Sequence, residues 1–265
     1  MNTININSND LSKAIQKIIG VVERKQTMPI LSHILIECNN GTLNITSTDL
    51  EVQFSTVVQT TNESEDFLST VPGRKFYEII RSLDNKELTI QISDTDLTIE
   101  SSNSKFKLQS LPPNEFPLFE ATAEETSFVV KQTVLKGLFH KTHFAMAQQD
   151  VRFYLNGLLV ETGPNTLTSV GTDGHRLARS VASVDKSKLG EASIRIPRKA
   201  IQEAQRIIQA VGETKVTFTN NQAAFKFNDV MLIPKIIDGS FLYYGRVIPA
   251  ETSINILIQG SYIKP

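Results

Sequence analysis

The stretch that decides the fold is residues 149–179, QDVRFYLNGLLVETGPNTLTSVGTDGHRLAR. It opens with the polar pair Gln149-Asp150, and an aromatic and apolar run typical of a strand follows. Residues 163–165 (Gly-Pro-Asn) and 173–174 (Asp-Gly) are turn sequences, and each lies between two runs of β-forming residues. Three consecutive strands, predicted over residues 153–161, 167–171 and 175–181 and joined by tight turns, indicate an antiparallel sheet.

Working outward, amphipathic helical patterns occur twice in each half of the chain, at residues 10–20, 73–83, 131–146 and 196–208. Asp173 lies 124 positions after Asp49, and Arg198 lies 124 positions after Arg74. A repeat of this length indicates duplicated domains. Each unit would contain two helices and six to eight short strands, which predicts an α+β fold with largely antiparallel sheets.

Changes in composition divide the chain. Residues 111–117, LPPNEFP, contain three prolines without periodicity and indicate a linker. We therefore expect one domain over residues 1–118 and a second over residues 119–249. Residues 250–265 resemble the opening strand of a third unit, so the chain looks truncated before most of that unit.

Composition excludes several classes of protein. The 265 residues are 40% hydrophobic with a formal net charge of −1, which allows a packed core and excludes a generally basic protein. The single cysteine, Cys38, cannot form an internal disulfide and fits a reducing compartment. The N-terminus lacks a signal-peptide pattern, and no apolar run approaches the ~20 residues of a membrane helix. We expect a soluble, cytoplasmic protein with no membrane partner.

Positive charge is concentrated in the helical segments. Residues 10–25, 73–83 and 198–208 each carry a net +2 and residues 131–146 a net +3, although the whole chain is net −1. For a single helix, solubility is the simpler explanation. The same sign in four helices from two repeats favours a basic surface that faces a phosphate backbone. Since no base-reading motif occurs, we expect sequence-nonspecific, salt-sensitive binding.

Catalytic chemistry has weak support. Asp173-Gly174-His175 could supply acid–base or metal chemistry, but Asp-Gly between two strands is more often a hairpin turn. His140 and His143 share a helix without an adjacent carboxylate, and no nucleotide-binding, hydrolase or metalloprotease motif occurs. We expect no catalytic residue, no metal and no cofactor, with a hydrolase dependent on His175 as a minor alternative.

The segments TDGHRL (172–177) and MAQQDVRFYLNG (146–157) resemble those of the bacterial DNA polymerase sliding clamp, the β subunit. MPILSHILIE, VPGRKFYEIIRSL and FKLQSLPPNEFP match the same family in the same order. The resemblance implies tandem DNA-clamp domains in a ring-shaped homodimer, with helices that line a central hole and sheets outside. It also implies a non-catalytic processivity factor that encircles duplex DNA. Its partners would be the DNA polymerase III α subunit, the clamp loader and other proteins with clamp-binding motifs.

The resemblance also assigns roles to individual positions. Those expected to contact DNA are Arg24, Lys25, Arg74, Gln149, Tyr154, Arg198 and Lys199. The second-domain share of a partner-peptide pocket would be Leu155, Thr172, Gly174, His175, Arg176, Leu177, Leu242, Arg246 and Val247, with Leu242 where the family usually has proline. A subunit interface is expected at Lys105, Phe106, Lys107 and Leu108, an exposed apolar edge strand. The alternative function is a truncated clamp fragment that cannot close a ring and is inactive in processivity.

Overall fold

The computed structural model describes residues 2–22, 28–83, 86–120, 126–184, 192–219, 221–249 and 257. The first repeat consists of β1 (Asn2–Asn7), α1 (Ser8–Ile18), β2 (His33–Asn39), β3 (Thr42–Thr48), β4 (Val52–Gln59), β5 (Phe67–Pro72), α2 (Gly73–Ser82), β6 (Glu87–Ile92), β7 (Asp96–Ser101) and β8 (Ser104–Gln109). The second repeat has the same order: β9 (Thr126–Lys131), α3 (Gln132–Thr142), β10 (Gly157–Thr162), β11 (Thr166–Thr172), β12 (Leu177–Ser183), β13 (Ala192–Pro197), α4 (Arg198–Ile207), β14 (Glu213–Phe218), β15 (Ala223–Phe227) and β16 (Val230–Pro234).

Within the described residues the strands form three antiparallel sheets, of which one crosses between the repeats. Two four-stranded sheets, β1-β6-β7-β8 and β12-β11-β10-β13, each belong to one repeat. The third has the order β5-β2-β3-β4-β16-β15-β14-β9 and is continuous because β4 pairs with β16. Phe54 lies opposite Leu232 in that pairing, and both side chains are fully buried. The two repeats are therefore joined by a backbone ladder with an apolar centre.

Each helix buries one apolar face against the sheets, and the helices pack side by side. Leu11, Ile15 and Ile18 recur at helical spacing on α1 and are buried, and the Asn7 side chain caps the helix by accepting the Asn9 N–H. Helix α1 contacts α2, and α3 contacts α4. The glycine just after α1, Gly20, lies so close to α4 that a Cβ there would meet its side chains. The helices thus form a continuous row in the order α2-α1-α4-α3, which we call the helix row.

Hydrogen bonds repeat across the two units at the spacing of 124. Asp49 Oδ1 accepts the backbone N–H groups of residues 51 and 52, and Asp173 Oδ1 accepts those of residues 175 and 176. Each turn contains a positive φ, 76° at Leu50 and 88° at Gly174. Leu50 adopts this unfavourable conformation while packing against the buried cluster around Phe116.

Several predicted elements need correction. Residues 153–161 do not form one strand, because Phe153–Leu155 is a 3-10 turn and β10 begins only at Gly157. His175 lies in the turn before β12 and not in that strand. Strands β5, β9 and β13 were not predicted, since each runs directly into a helix and its apolar residues merge with the helical pattern. The opening strand predicted within residues 250–265 lies outside the described residues, apart from residue 257.

No helix of the described residues combines the length and the apolar character needed to span a membrane.

His33, at the start of β2, is buried beside the segment that follows β8. The Thr70 hydroxyl donates to the Leu111 carbonyl at 2.7 Å, so its only proton is used. His33 Nδ1, 3.2 Å from the same oxygen, must then carry the proton and donate to it. Burial lowers the pKa of His33 from its ordinary 6.5 to about 4.

Stability should therefore fall as the solution is acidified from pH 6.5 to pH 4. Over this window the unfolded chain binds a proton at His33 that the folded chain does not, because the folded pKa is the lower one. Urea unfolding at a series of pH values should show a shallower pH dependence for His33→Asn than for the wild type. The exposed His140→Asn is the control and should keep the wild-type slope. An unchanged slope in His33→Asn would refute this assignment.

Candidate functional site

The helix row presents a basic surface. Exposed cations extend from all four of its helices: Lys13, Lys75, Arg81, Lys136, Lys141 and Arg206. The opposite side of each helix is apolar and buried, so the cations point away from the core. The charge count over the helical segments includes these positions, although matching residues to the family did not name them as DNA contacts.

The two repeats meet beneath this surface in an open groove with a volume of about 590 Å³. Lys13, Gln16 and Lys17 of the first repeat line one side. Arg206, Gln209 and Asn228 of the second repeat line the other. Asp229 also lines the groove and pairs with Lys17, and Arg206 pairs with Glu203, so much of the groove's positive charge is already balanced.

Two arginines predicted to contact DNA, Arg74 and Arg198, hold backbone carbonyls near the starts of α2 and α4. Arg74 Nε donates to the Val22 carbonyl at 2.7 Å, and Arg198 Nη1 donates to the Met146 carbonyl at 3.0 Å. Val22 and Met146 are themselves 124 positions apart, so the contact is repeated in both units. Both side chains are half-buried and retain further N–H donors. Arg24 and Lys25 lie outside the described residues.

Lys199 differs from the other predicted DNA contacts because it joins the two repeats. Its Nζ lies 2.6 Å from Asp49 Oδ2, and the Asp49 side chain is 8% exposed. Lys17 makes a second cross-repeat ion pair with Asp229.

Gln149 is exposed with a positive φ of 55°, and Tyr154 is half-buried in the following 3-10 turn. Gln149 and Tyr154 therefore lie on the corner between α3 and β10 rather than on the helices.

A second cluster forms around the turn between β11 and β12. Thr172 Oγ1 donates to the Arg176 carbonyl at 2.7 Å and accepts the Gly174 N–H. Arg152 reaches this turn, with Nη2 at 3.2 Å from the Asp173 carbonyl. The structure therefore brings the 150–155 loop and the 172–177 turn together.

Asp150 fixes the arginine that connects these segments. Its carboxylate accepts Arg152 Nε at 3.0 Å, Nη2 at 2.9 Å and the Arg152 backbone N–H at 2.8 Å. The side-chain hydrogen bonds from Arg152, followed by the backbone one, lower the pKa of Asp150 to about 2. The carboxylate is ionised at neutral pH and orients the guanidinium towards the turn. Sequence reasoning missed both residues, although an Asp two positions before an Arg in a polar corner was visible.

Gly174 is the residue in this turn that tolerates least change. Its φ is +88°, and a Cβ would lie 2.9 Å from Arg152 Nη1. Gly174→Ala should lower the free energy of unfolding by about 1–2 kcal/mol, because alanine disfavours this conformation. Gly137, in α3, has open space where a Cβ would lie, with nothing within 4 Å, so Gly137→Ala should raise stability by about 0.5–1 kcal/mol. Urea denaturation of both variants checks the sign, and destabilisation of equal size would contradict this account.

The predicted pocket residues differ in accessibility. Leu155 and Thr172 are each 2% exposed. Leu155 therefore supports the surface from below and does not line it, contrary to its predicted place in the pocket. Leu177 is half-buried, and His175 and Arg176 are exposed. The Arg176 guanidinium lies 5.7 Å from the centre of the Phe144 ring.

Residues 238–249 cross the face of the sheet that carries Leu177. Tyr244 donates its hydroxyl to Glu161 Oε2 at 2.6 Å and also contacts Arg179. Leu177 and Arg179 point to the same side of β12, because side chains alternate along a strand. Leu242 and Val247 are 42% and 55% exposed, and the Arg246 guanidinium lies 5.6 Å from the centre of the Tyr243 ring. The result is an open apolar surface with arginines nearby.

The predicted subunit interface lies on an edge strand, but its side chains differ from expectation. Within the described residues, β8 pairs only with β7. Leu108 is 3% exposed and Phe106 packs partly buried against the core, so the apolar side chains are not exposed. The outward side chains are Lys105, paired with Glu100 at 2.5 Å, and Lys107, paired with Asp96 at 3.0 Å. Side-chain alternation explains the correction, since residues 106 and 108 share the core-facing side.

Comparison with known proteins accounts for this architecture. Residues 2–120 match the model for the N-terminal domain of the DNA polymerase III beta subunit, and residues 129–242 match the model for its central domain. The chain belongs to the bacterial β sliding clamp family. Members of this family are non-catalytic processivity factors of DNA polymerase III. The family and the α+β fold class predicted from the sequence are confirmed.

Individual relatives show how much of a β clamp the chain represents. It is 34% identical to the beta sliding clamp of Proteus mirabilis over 98% of this chain and 71% of the relative. It is 38% identical to that of Pseudomonas aeruginosa over 90% of this chain and 66% of the relative. A crystal structure of the Pseudomonas aeruginosa DNA polymerase III subunit beta superposes with a TM-score of 0.91 at 35% identity, covering 95% of this chain and 69% of that one. The chain spans about two thirds of the length of these clamps.

Proposed function

We propose that this chain acts as a DNA sliding clamp. It would bind duplex DNA without sequence preference along the helix row and hold the replicative polymerase at the surface around Leu177. The observation that carries the proposal is the continuous row of four helices whose exposed cations come from both repeats. Such a surface complements a phosphate backbone along its length, and among the residues that the structure describes it contains no group arranged for base readout.

The domain plan supports this function. Two units, which we assign to residues 1–118 and 119–249, place their helices side by side and join by β4 and β16. The start of a third unit is assigned to residues 250–265. A rigid junction of this kind keeps both basic faces on one side, which a protein that encloses a duplex needs. The work would take place in the bacterial cytoplasm and would require no cofactor.

Binding to duplex DNA should be weak and strongly salt-dependent. If each exposed cation of the helix row meets one phosphate, the log–log salt slope should be roughly −5. Fluorescence anisotropy with two labelled duplexes of unrelated sequence, across a series of salt concentrations, measures this slope. The two duplexes should give the same slope and affinity. Salt-independent binding, or a clear preference for one sequence, would contradict the proposal.

The partner surface suits a short linear peptide. Leu177, Val247 and Leu242 offer exposed or half-exposed apolar contacts, and Arg176 and Arg246 offer donors to a peptide backbone. The proposed partners are the polymerase III α subunit, the clamp loader and other proteins with clamp-binding motifs. We assign homodimer contacts of the full-length protein to the β8 edge, with Lys105 and Lys107 outermost.

A second candidate function is a clamp fragment that binds DNA without encircling it. Binding of this kind would need only the exposed cations of the helix row. A fragment of this kind would show the same salt slope on linear and circular duplexes. An encircling clamp would stay on closed circles at salt concentrations that release it from linear DNA.

A further inference from the structure

An open groove of about 350 Å³, which we call the outer groove, lies on the sheet that contains β4 and β16, on the side away from the helix row. Its floor is formed by Ala224 on β15 and by Met231 and Ile233 on β16, all half-buried. Their neighbours Phe225 and Leu232 are fully buried in the core, so alternation along each strand turns the floor residues outward. The outer groove therefore has an apolar floor that the core does not use.

One wall of the outer groove is Phe119, from the segment between β8 and β9. Its backbone N–H donates to Gln53 Oε1 at 2.9 Å, and Gln53 is a buried residue of β4 in the first repeat. Lys235, just after β16 of the second repeat, places its Nζ 4.9 Å from the centre of the Phe119 ring, which restrains that ring. Contacts from both repeats therefore hold this aromatic wall in position.

The charges that line the outer groove are arranged unfavourably within the chain. The register places Lys215 on β14 directly opposite Lys226 on β15, and both side chains are exposed. Like charges directly opposite across antiparallel strands are destabilising. On the other repeat, by contrast, Lys105 lies opposite Glu100 and pairs with it. An anionic group bound between Lys215 and Lys226 would relieve a repulsion that the strand register creates.

We propose that the outer groove binds an acidic linear peptide of a partner protein, with one apolar side chain of the peptide seated on the floor. This anchor would contact Phe119 and Met231, and carboxylates on either side of it would reach Lys215 and Lys226. Among the lining residues that the structure describes, Glu120 is the only acid, so the two lysines outnumber it. Both the apolar floor and the sign of the charge are thereby matched by one ligand.

The chemistry of the outer groove favours a peptide over a nucleic acid. Its floor is apolar, whereas a duplex would present mainly phosphates to it. The outer groove also belongs to a different sheet from β12, which carries Leu177. The site is therefore separate from the partner surface around Leu177, and it does not depend on DNA binding along the helix row.

Fluorescence anisotropy with three labelled peptides tests the proposal on the 265-residue chain. The peptide DEDFDED combines acidic residues with one aromatic anchor and should bind saturably. DEDADED lacks the anchor and should bind roughly tenfold more weakly. KRKFKRK keeps the anchor with the opposite charges and should bind more weakly still, because it would face Lys215 and Lys226. Equal binding of any two peptides, or no saturable binding of DEDFDED up to about 1 mM, would overturn the proposal.

Two charge variants locate the bound peptide. Lys226→Glu should weaken binding of DEDFDED on the order of tenfold, because a carboxylate replaces an attractive cation. The variant places opposite charges across β14 and β15, so it should be at least as stable as the wild type, and urea unfolding checks this. Lys136→Glu with Lys141→Glu, on the helix row, is the matched control and should leave peptide affinity unchanged. An equal or larger loss in the control would mean that the peptide occupies the helix row, which would overturn the proposal.

Photo-cross-linking checks where the anchor lies. DEDFDED with benzoylphenylalanine in place of its Phe should label Phe119, Met231 or Ile233, as mapped by mass spectrometry of the digested chain. Labelling of the helix row or of the surface around Leu177 instead would overturn the proposal. None of these measurements contains DNA, so their failure leaves the sliding-clamp function to be judged separately by the salt slope.

Discussion

Replacing Phe54 with alanine is expected to lower the free energy of unfolding by about 3–5 kcal/mol, the largest stability effect that we predict. Phe54 is fully buried and faces Leu232 of the other repeat. The cavity therefore opens in the sheet that joins the repeats, where neighbouring strands are held by a backbone ladder and cannot collapse freely. Urea unfolding followed by circular dichroism measures the loss.

The control for this change is Phe153→Ala. Phe153 has the same side chain but is 58% exposed, so its truncation should cost less than about 1 kcal/mol. Losses of similar size at the two positions would mean that the β4–β16 junction is not an apolar core. An unchanged stability in Phe54→Ala would lead to the same conclusion.

Reversing two charges on α3 should give the largest functional effect. The double variant Lys136→Glu with Lys141→Glu removes two exposed cations from the helix row and adds two repelling carboxylates. Duplex affinity at low salt should fall on the order of 100-fold, and the log–log salt slope should become shallower by about 2. Anisotropy titrations with a labelled duplex measure both quantities.

The matched control for the charge reversal is Lys226→Glu. Lys226 is exposed on β15, where the side chains of Phe225 and Phe227 occupy the core-facing side, so it extends from the opposite side of the sheet. DNA affinity should change little in this variant. A loss similar to that of the double variant would show that only net charge matters. The helix row would then not be the binding surface.

Local patterns determined much of the fold in advance. The four helices follow from apolar spacing, and the duplicated plan follows from residues such as Asp49 and Asp173 at a constant separation. The pairing of β4 with β16 could not be predicted, because it depends on contacts between residues far apart in sequence. The residues of the two strands, such as the paired Gln53 and Ile233, are ordinary strand residues, and nothing in the sequence around them indicates which strand they pair with.

The candidate site was only partly accessible from the sequence. Matching positions to the family named Thr172 and Arg176 together, and a hydrogen bond joins them, but the match could not show that Leu155 lies beneath the surface. It also could not show that Lys199 pairs with Asp49, since that ion pair depends on how the repeats meet. Burial and cross-repeat contacts are properties of packing, and a residue type at a given position does not reveal them.

Retention on circular DNA, which has no ends, tests the central claim most directly. The chain would be incubated with a nicked circular duplex at low salt, the salt raised, and the bound protein measured by gel filtration before and after the circle is linearised with a restriction enzyme. An encircling clamp should remain on the circle at high salt and leave once the DNA has ends. Equal loss from circular and linear DNA at every salt concentration would contradict encirclement.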